Sequence, residues 1–232
     1  NSGLIRFLLK LDNDYTILDA AEHASDMEDA LWPQLVCSLG KLDVIHTSRI
    51  TPGIRLESAQ IRALLDYARK HYKAICFDLS GNMEKYAMEV MQESKTIFVV
   101  CTPEIPSLHL AREKYHFLKD SGLKDKVSFL LNRSSKTDVL QLDQIQSLLG
   151  AKVKVSFPND YRGVNQAVAE AKQISQSSEL GRQITNFANS LLDLESIPGG
   201  ANSKKKETRG FGDFFKFGAS RVATVSDSET KA

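Results

Sequence analysis

The chain has 232 residues, 42% of them hydrophobic, enough for one large domain with a core or a domain plus a tail. A formal net charge of +1 argues neither for nor against a nucleic-acid partner; nucleic acid is not expected among its partners. No apolar run reaches membrane-span length, no signal peptide opens the chain, and Cys37, Cys76 and Cys101 read as reduced, buried thiols of a cytoplasmic protein.

Taken in order, residues 4–11 make a short apolar, helix-like run, and Asp12-Asn13-Asp14 is a turn and capping cluster. Ile17, Leu18, Ala20 and Ala21 continue at helical spacing. A helix is expected from Asp26 toward Cys37, with Pro33 as a kink or boundary. Residues 42–46 form a strand candidate followed by a loop over 47–53. Ile61, Leu64, Leu65 and Ala68 mark an amphipathic helix over 56–72.

Next comes Lys73-Ala74-Ile75-Cys76-Phe77-Asp78-Leu79-Ser80-Gly81, the stretch around which the reading turns. Its apolar run has no polar face, which predicts a buried parallel strand, with Asp78 at the carboxyl end and a turn at Gly81. A helix is expected over 83–93, and then the β-branched strand 96–101. Pro103 and Pro106 force a loop, after which Ser107 caps a helix that Gly122 stops. Residues 127–131 and 153–157 are further strands separated by a helix over 139–149, and two helices close the series, over 164–175 and 180–192.

Strands near 42, 74, 96, 127 and 153 alternating with helices predict an α/β fold, a mainly parallel sheet with helices on both faces. The expected domain spans 1–194. From 195 to 232 the composition turns linker-like and then basic, with Lys204-Lys205-Lys206 and a cluster of Phe211, Phe214, Phe215 and Phe217. Two readings of that tail stand side by side: a plain flexible segment, or a basic apolar peptide that docks on an anionic membrane or a partner groove.

Four loops then follow strand ends: 78–81, 102–106, Asn132-Arg133, and 158–161. Ligands of open α/β sheets bind at such ends. Two chemistries compete. In a nucleotide site, Asp78 would hold Mg²⁺ through water, Gly81 would let backbone approach a γ-phosphate, Asn132 would bond the adenine edge, and Pro158 would pack on the ring. No GxxxxGK[ST] occurs in the sequence to cradle the phosphates. In a phosphate-receiver domain, Asp78 would be the acceptor, but the lysine after the later strand and the earlier acidic pair are both missing. His23, His46, His71, His109 and His116 show no metal-binding spacing and read as surface or interface residues. At Asp78, a carboxylate that merely orders a turn stays open beside the functional reading.

In this order, the motifs resemble the MinD/ParA superfamily of deviant P-loop ATPases. Within it they resemble the CpaE/TadZ proteins of the Flp/Tad pilus-assembly and secretion systems. Phe77-Asp78-Leu79-Ser80-Gly81 is similar to the Walker B and switch II segment, with Ser80 where the family usually has proline. Residues 101–108 resemble the TPE-x-PSL loop, Leu131-Asn132-Arg133 the adenine-contacting step, and Phe157-Pro158-Asn159-Asp160-Tyr161 the stretch beside the base. The resemblance implies ATP and Mg²⁺ as cofactors, with Asp78 and Gly81 catalytic, Asp78 also the Mg²⁺ residue, and Asn132, Arg133, Pro158 and Asn159 holding the nucleotide. It implies an ATP-dependent homodimer, pilus or secretion-system partners, and a cytoplasmic location, peripheral to the inner face of the membrane if the tail docks there. It also implies a phosphate loop upstream of Asn1, so that these residues alone would not turn over ATP. Some members have degenerate phosphate loops and act as scaffolds, which is the alternative function.

Overall fold

The computed structural model describes residues 4–47, 56–79, 81 and 83–195, with side chains to 192. The first part holds three short helices, α1 (Leu4–Leu9), α2 (Ile17–Glu22) and α3 (Trp32–Leu35), and a hairpin of β1 (Cys37–Leu39) and β2 (Leu42–Val44). The longer α4 (Ser58–His71) and α5 (Lys85–Glu93) follow. Then come β3 (Ile97–Cys101), α6 (Ile105–Asp120), β4 (Val127–Ser134), α7 (Leu142–Leu149), β5 (Val153–Pro158), α8 (Tyr161–Glu170) and α9 (Glu179–Glu195).

Strands β3, β4 and β5 make one parallel sheet in that order. Side chains alternate across β4, so Phe129 and Leu131 point to one face and Leu130 to the other. The first face packs Phe129 and Leu131 with Met91, Leu108, Ala111, Leu118, Ile145 and Leu149 of α5, α6 and α7. The second packs Leu130 and Phe157 with Leu180, while Phe187 of α9 meets Phe98 and Phe157 edge-on. Helices therefore cover both faces, as the alternating elements predict.

Two expected strands are corrected. Residues 42–44 pair with β1 in an antiparallel hairpin rather than joining the parallel sheet. Gly40, at φ 69°, opens the two-residue turn between Leu39 and Leu42, and Gly-X at that position is a hairpin signal. Residues 74–79 form no strand: no strand among the described residues pairs with them, and a ladder needs a neighbour as well as an apolar sequence. Ile75 and Phe77 are accordingly 39% and 37% exposed rather than buried. Cys76 is exposed and Cys37 half-buried, so only Cys101 fits the expected buried thiol.

Smaller differences have equally local causes. The helix expected from Asp26 shrinks to α3, because Pro33 lacks an N–H and is seated in its first turn. Helix α6 starts at Ile105, not after Ser107, whose hydroxyl instead accepts the Thr102 N–H at 2.9 Å. His46 is 2% exposed, not a surface histidine, and its Nε2 and Nδ1 lie 2.8 and 3.1 Å from the carbonyl oxygens of Asn13 and Thr47. Most of the loop expected over 47–53 and the tail from 196 lie outside the described residues.

A second core joins Ala20, Trp32, Leu35, Leu64 and Ala68 below the hairpin. It carries a polar chain: Trp32 Nε1 donates to the Tyr72 hydroxyl, which donates to Asp43 Oδ2, each at 2.6 Å. Burial, then the Asp43 carboxylate, pushes the Tyr72 phenol from 10.0 up to about 12, against the Trp32 N–H, which lowers it. A raised phenol pKa favours folding below pH 10, and that advantage is lost as the pH climbs to about 12. Urea midpoints measured across this window should therefore fall more steeply for the wild type than for Tyr72→Phe. At neutral pH, Phe129→Ala should cost about 3–5 kcal/mol in the same assay, since its ring is 1% exposed between two helices and the sheet.

Candidate functional site

The parallel register fixes which loops are neighbours. Cys101 pairs with Leu131, and Leu131 with Ser156, so residues 102–104, 132–133 and 158–160 leave the sheet side by side at its carboxyl edge. At the centre of that edge β4 bulges. Between Leu131 and Ser134 it advances three residues while β5 advances two, from Ser156 to Pro158. The extra residue lies at the Asn132-Arg133 step, and Arg133 takes a left-handed φ of 57°. For a residue with a Cβ this costs about 1 kcal/mol. The Asn132 side-chain oxygen offsets part of it by accepting the Arg133 N–H at 2.9 Å. Bulges re-aim side chains at sheet ends, and this one turns the half-buried Asn132 and the exposed Arg133 out of the alternation.

The flanking loops are tied to the bulge. Asn159 N–H donates to Ser134 O at 2.9 Å, which holds the 158–160 stretch against the end of β4. Asp160 caps α8 by accepting the Gly163 N–H at 2.9 Å. A Cβ at Gly163 would collide with that carboxylate, so glycine at this helical position exists for the cap. On the other side, the Thr102 hydroxyl donates to Glu104, which is held below the usual carboxylate range by that bond first, then by its own backbone N–H, and also by the Arg133 charge.

The structure thus brings together four of the six expected site residues, Asn132, Arg133, Pro158 and Asn159. Asp78 and Gly81 are both exposed. Gly81 instead lies beside α6, where an added Cβ would sit 2.9 Å from Lys114 Nζ. Ser80 and Asn82 lie outside the described residues. Sequence reasoning missed Glu104, whose carboxyl is held low at this edge. The signal was available, since Thr102 and Glu104 follow β3 and Arg133 ends its sheet neighbour. Among the described residues, no cluster of three or more His, Cys, Asp or Glu could hold a metal ion.

A parallel sheet with helices on both faces and polar loops at its carboxyl edge defines an α/β protein. Its particular form is the fold of the MinD/ParA ATPases. The ParA-family ATPase of Chlorobium tepidum superposes with a TM-score of 0.73 at 19% identity, over 80% of this chain and 78% of that one. The Mg-ADP complex of the septum site-determining protein MinD from Pyrococcus horikoshii gives 0.68 at 17%, over 85% and 82%. MinD in the MinC:MinD complex of Aquifex aeolicus gives 0.65 at 17%, over 87% and 83%. Among curated proteins, the septum site-determining protein MinD of Thermotoga maritima is 22% identical over 151 residues. That match covers 62% of this chain and 55% of the relative, so the chain spans about half the length of the curated protein it matches. No protein-family model matches.

Replacing Gly163 tests whether the rim is built as described. Gly163→Ala should lower stability by about 1 kcal/mol through loss of the Asp160 cap, although alanine is ordinarily the better helix former. A urea titration that finds the variant more stable would refute the cap.

Proposed function

We propose that this chain is the ATP-binding part of a MinD/ParA-type ATPase acting in pilus assembly or secretion-system positioning. One observation carries the nucleotide reading: the β4 bulge holds Asn132 beside the Pro158-Asn159 stretch, on the edge where this fold takes ligands. The fit to a nucleotide differs between its two ends. At the base end, Asn132 spends one oxygen lone pair on Arg133 and keeps its amide donors for an adenine ring, with Pro158 as an apolar wall. At the phosphate end, the described residues do not fit. Asp78 is exposed and belongs to no metal-binding cluster among the described residues, and the sequence contains no GxxxxGK[ST], so no step through Mg²⁺ is derived.

The pilus role rests on the ordered resemblance of residues 77–81, 101–108, 131–133 and 157–161 to CpaE/TadZ proteins. A nucleotide-dependent homodimer and secretion-system partners follow from the same resemblance. No described helix is long and apolar enough to cross a membrane. The basic, phenylalanine-bearing tail is a candidate for peripheral contact with the inner face of the cell membrane. A second reading, a catalytically inactive scaffold of the same fold, is favoured by α8. That helix buries no residue and exposes Tyr161, Val164 and Val168 along one side, as a protein-contact surface would.

Equilibrium binding of a fluorescent adenine nucleotide, competed with ATP and GTP, tests the first reading. ATP should compete better than GTP, and Asn132→Ala should weaken adenine binding on the order of tenfold, the loss of one to two hydrogen bonds. Phosphate release by the 232 residues alone should stay at background. No measurable binding, with a dimer whose mass in light scattering ignores ATP, would instead leave the scaffold.

A further inference from the structure

We propose that the groove between α2 and α4 is a docking site for the chain's own residues 211–217, with one phenylalanine ring seated in it. This docking is independent of the nucleotide reading. The groove holds about 240 Å³, with Ala21, Glu22 and Ser25 on one wall and Ala59, Gln60 and Ala63 on the other. Alanine recurs on both walls, so the lining is mostly apolar. A benzene ring fills a cavity of about 150 Å³, so the space suits a single aromatic side chain.

The rim selects the occupant by charge. Residues 11–40 hold seven acidic residues and no lysine or arginine. Three of the seven are engaged: Asp14 pairs with Arg6, Asp19 accepts the Thr16 hydroxyl, and Asp29 accepts the Tyr67 hydroxyl. Glu22, which lines the groove, and Asp26, next to Ser25, are both exposed. Neither makes an ion pair or a side-chain hydrogen bond among the described residues. Arg62, beside Ala63 on α4, is already committed to Glu89 and leaves the rim acidic.

An apolar slot edged by uncompensated carboxylates fits an aromatic side chain carried between cations. Residues 204–221 have that composition, with four phenylalanines among six lysines and arginines and only two acidic residues. Reach is sufficient. Helix α9 ends at Glu195. Residues 196–210 extend to about 50 Å, whereas a domain of this size has a radius of gyration of about 16 Å.

The test uses the full chain with photoreactive benzoylphenylalanine in place of Phe214. Irradiation followed by mass spectrometry should place crosslinks on residues 21–25 and 59–63 of the same chain. Raising NaCl from about 0.05 M to about 0.5 M should reduce them, because exposed charges are then screened within a few Å. Glu22→Lys with Asp26→Lys should reduce them about fivefold at low salt, the scale of two exposed charge pairs. Ala59→Phe, at an exposed position, should remove them by filling the groove. Crosslinks on other surfaces, or crosslinks that ignore salt and all three substitutions, would overturn the docking. Crosslinks joining two chains would overturn it as well, giving the groove to the tail of a second copy. No groove crosslink, with the chain sedimenting on phosphatidylglycerol vesicles, would overturn it and leave the tail to the membrane.

Discussion

The structure depends on β4 being paired along both edges. Backbone N–H and C=O groups in a buried strand must find partners, and a strand inside a parallel sheet finds them only when neighbours stand on each side. Val127 to Leu131 satisfy this with β3, and Phe129 to Ser134 with β5. Burial of Phe129, Leu130 and Leu131, at 1%, 7% and 1% exposure, follows from that position between two ladders and two helical layers. The carboxyl edge inherits its order from the same pairing. Because β4 is held on both sides, its bulge is a fixed feature around which the 102–107 and 158–160 loops arrange themselves.

The sheet was legible because its strands announce themselves by apolar, β-branched runs, and the helices between them by their stripes and stop signals. Segment 74–79 is largely apolar, as β3 is, yet no ladder forms there among the described residues. An apolar pattern says that a stretch wants cover; it does not say that a partner strand is present among the residues described. The hairpin was misread for the opposite reason: Gly40 specified a local turn, and local pairing satisfied β2 before any long-range neighbour was needed. His46 shows a third limit, since a histidine's burial depends on carbonyls at Asn13 and Thr47 that no spacing rule reveals.

The candidate site divides along the same line. Asn132, Arg133, Pro158 and Asn159 could be grouped from sequence because each lies at or just past the carboxyl end of a strand of the observed sheet, and parallel topology brings such ends together. Asp78 and Gly81 follow the segment that has no ladder among the described residues, so no register places them beside the bulge. What sequence could not supply was the bulge itself. Nothing in Leu131-Asn132-Arg133-Ser134 requires one extra residue there; it arises from fitting β4 to β5 in a register that already slips once, between Phe129 and Leu130.

Helix α4 has a place in this chain that its length does not suggest. Leu64 and Ala68 are buried with Trp32 and Leu35, whereas Ile61 and Leu65 are buried with Val90 of α5, and Tyr86 and Leu79 carry that contact on to the core under the sheet. Arg62 with Glu89, and Arg69 with Glu93 at 2.9 Å, add polar ties along the same seam. Neither core can open without stripping one side of α4 into water. The two ends of the molecule are therefore thermodynamic neighbours, and heat should dissolve the hairpin layer and the sheet in a single transition instead of peeling one from the other.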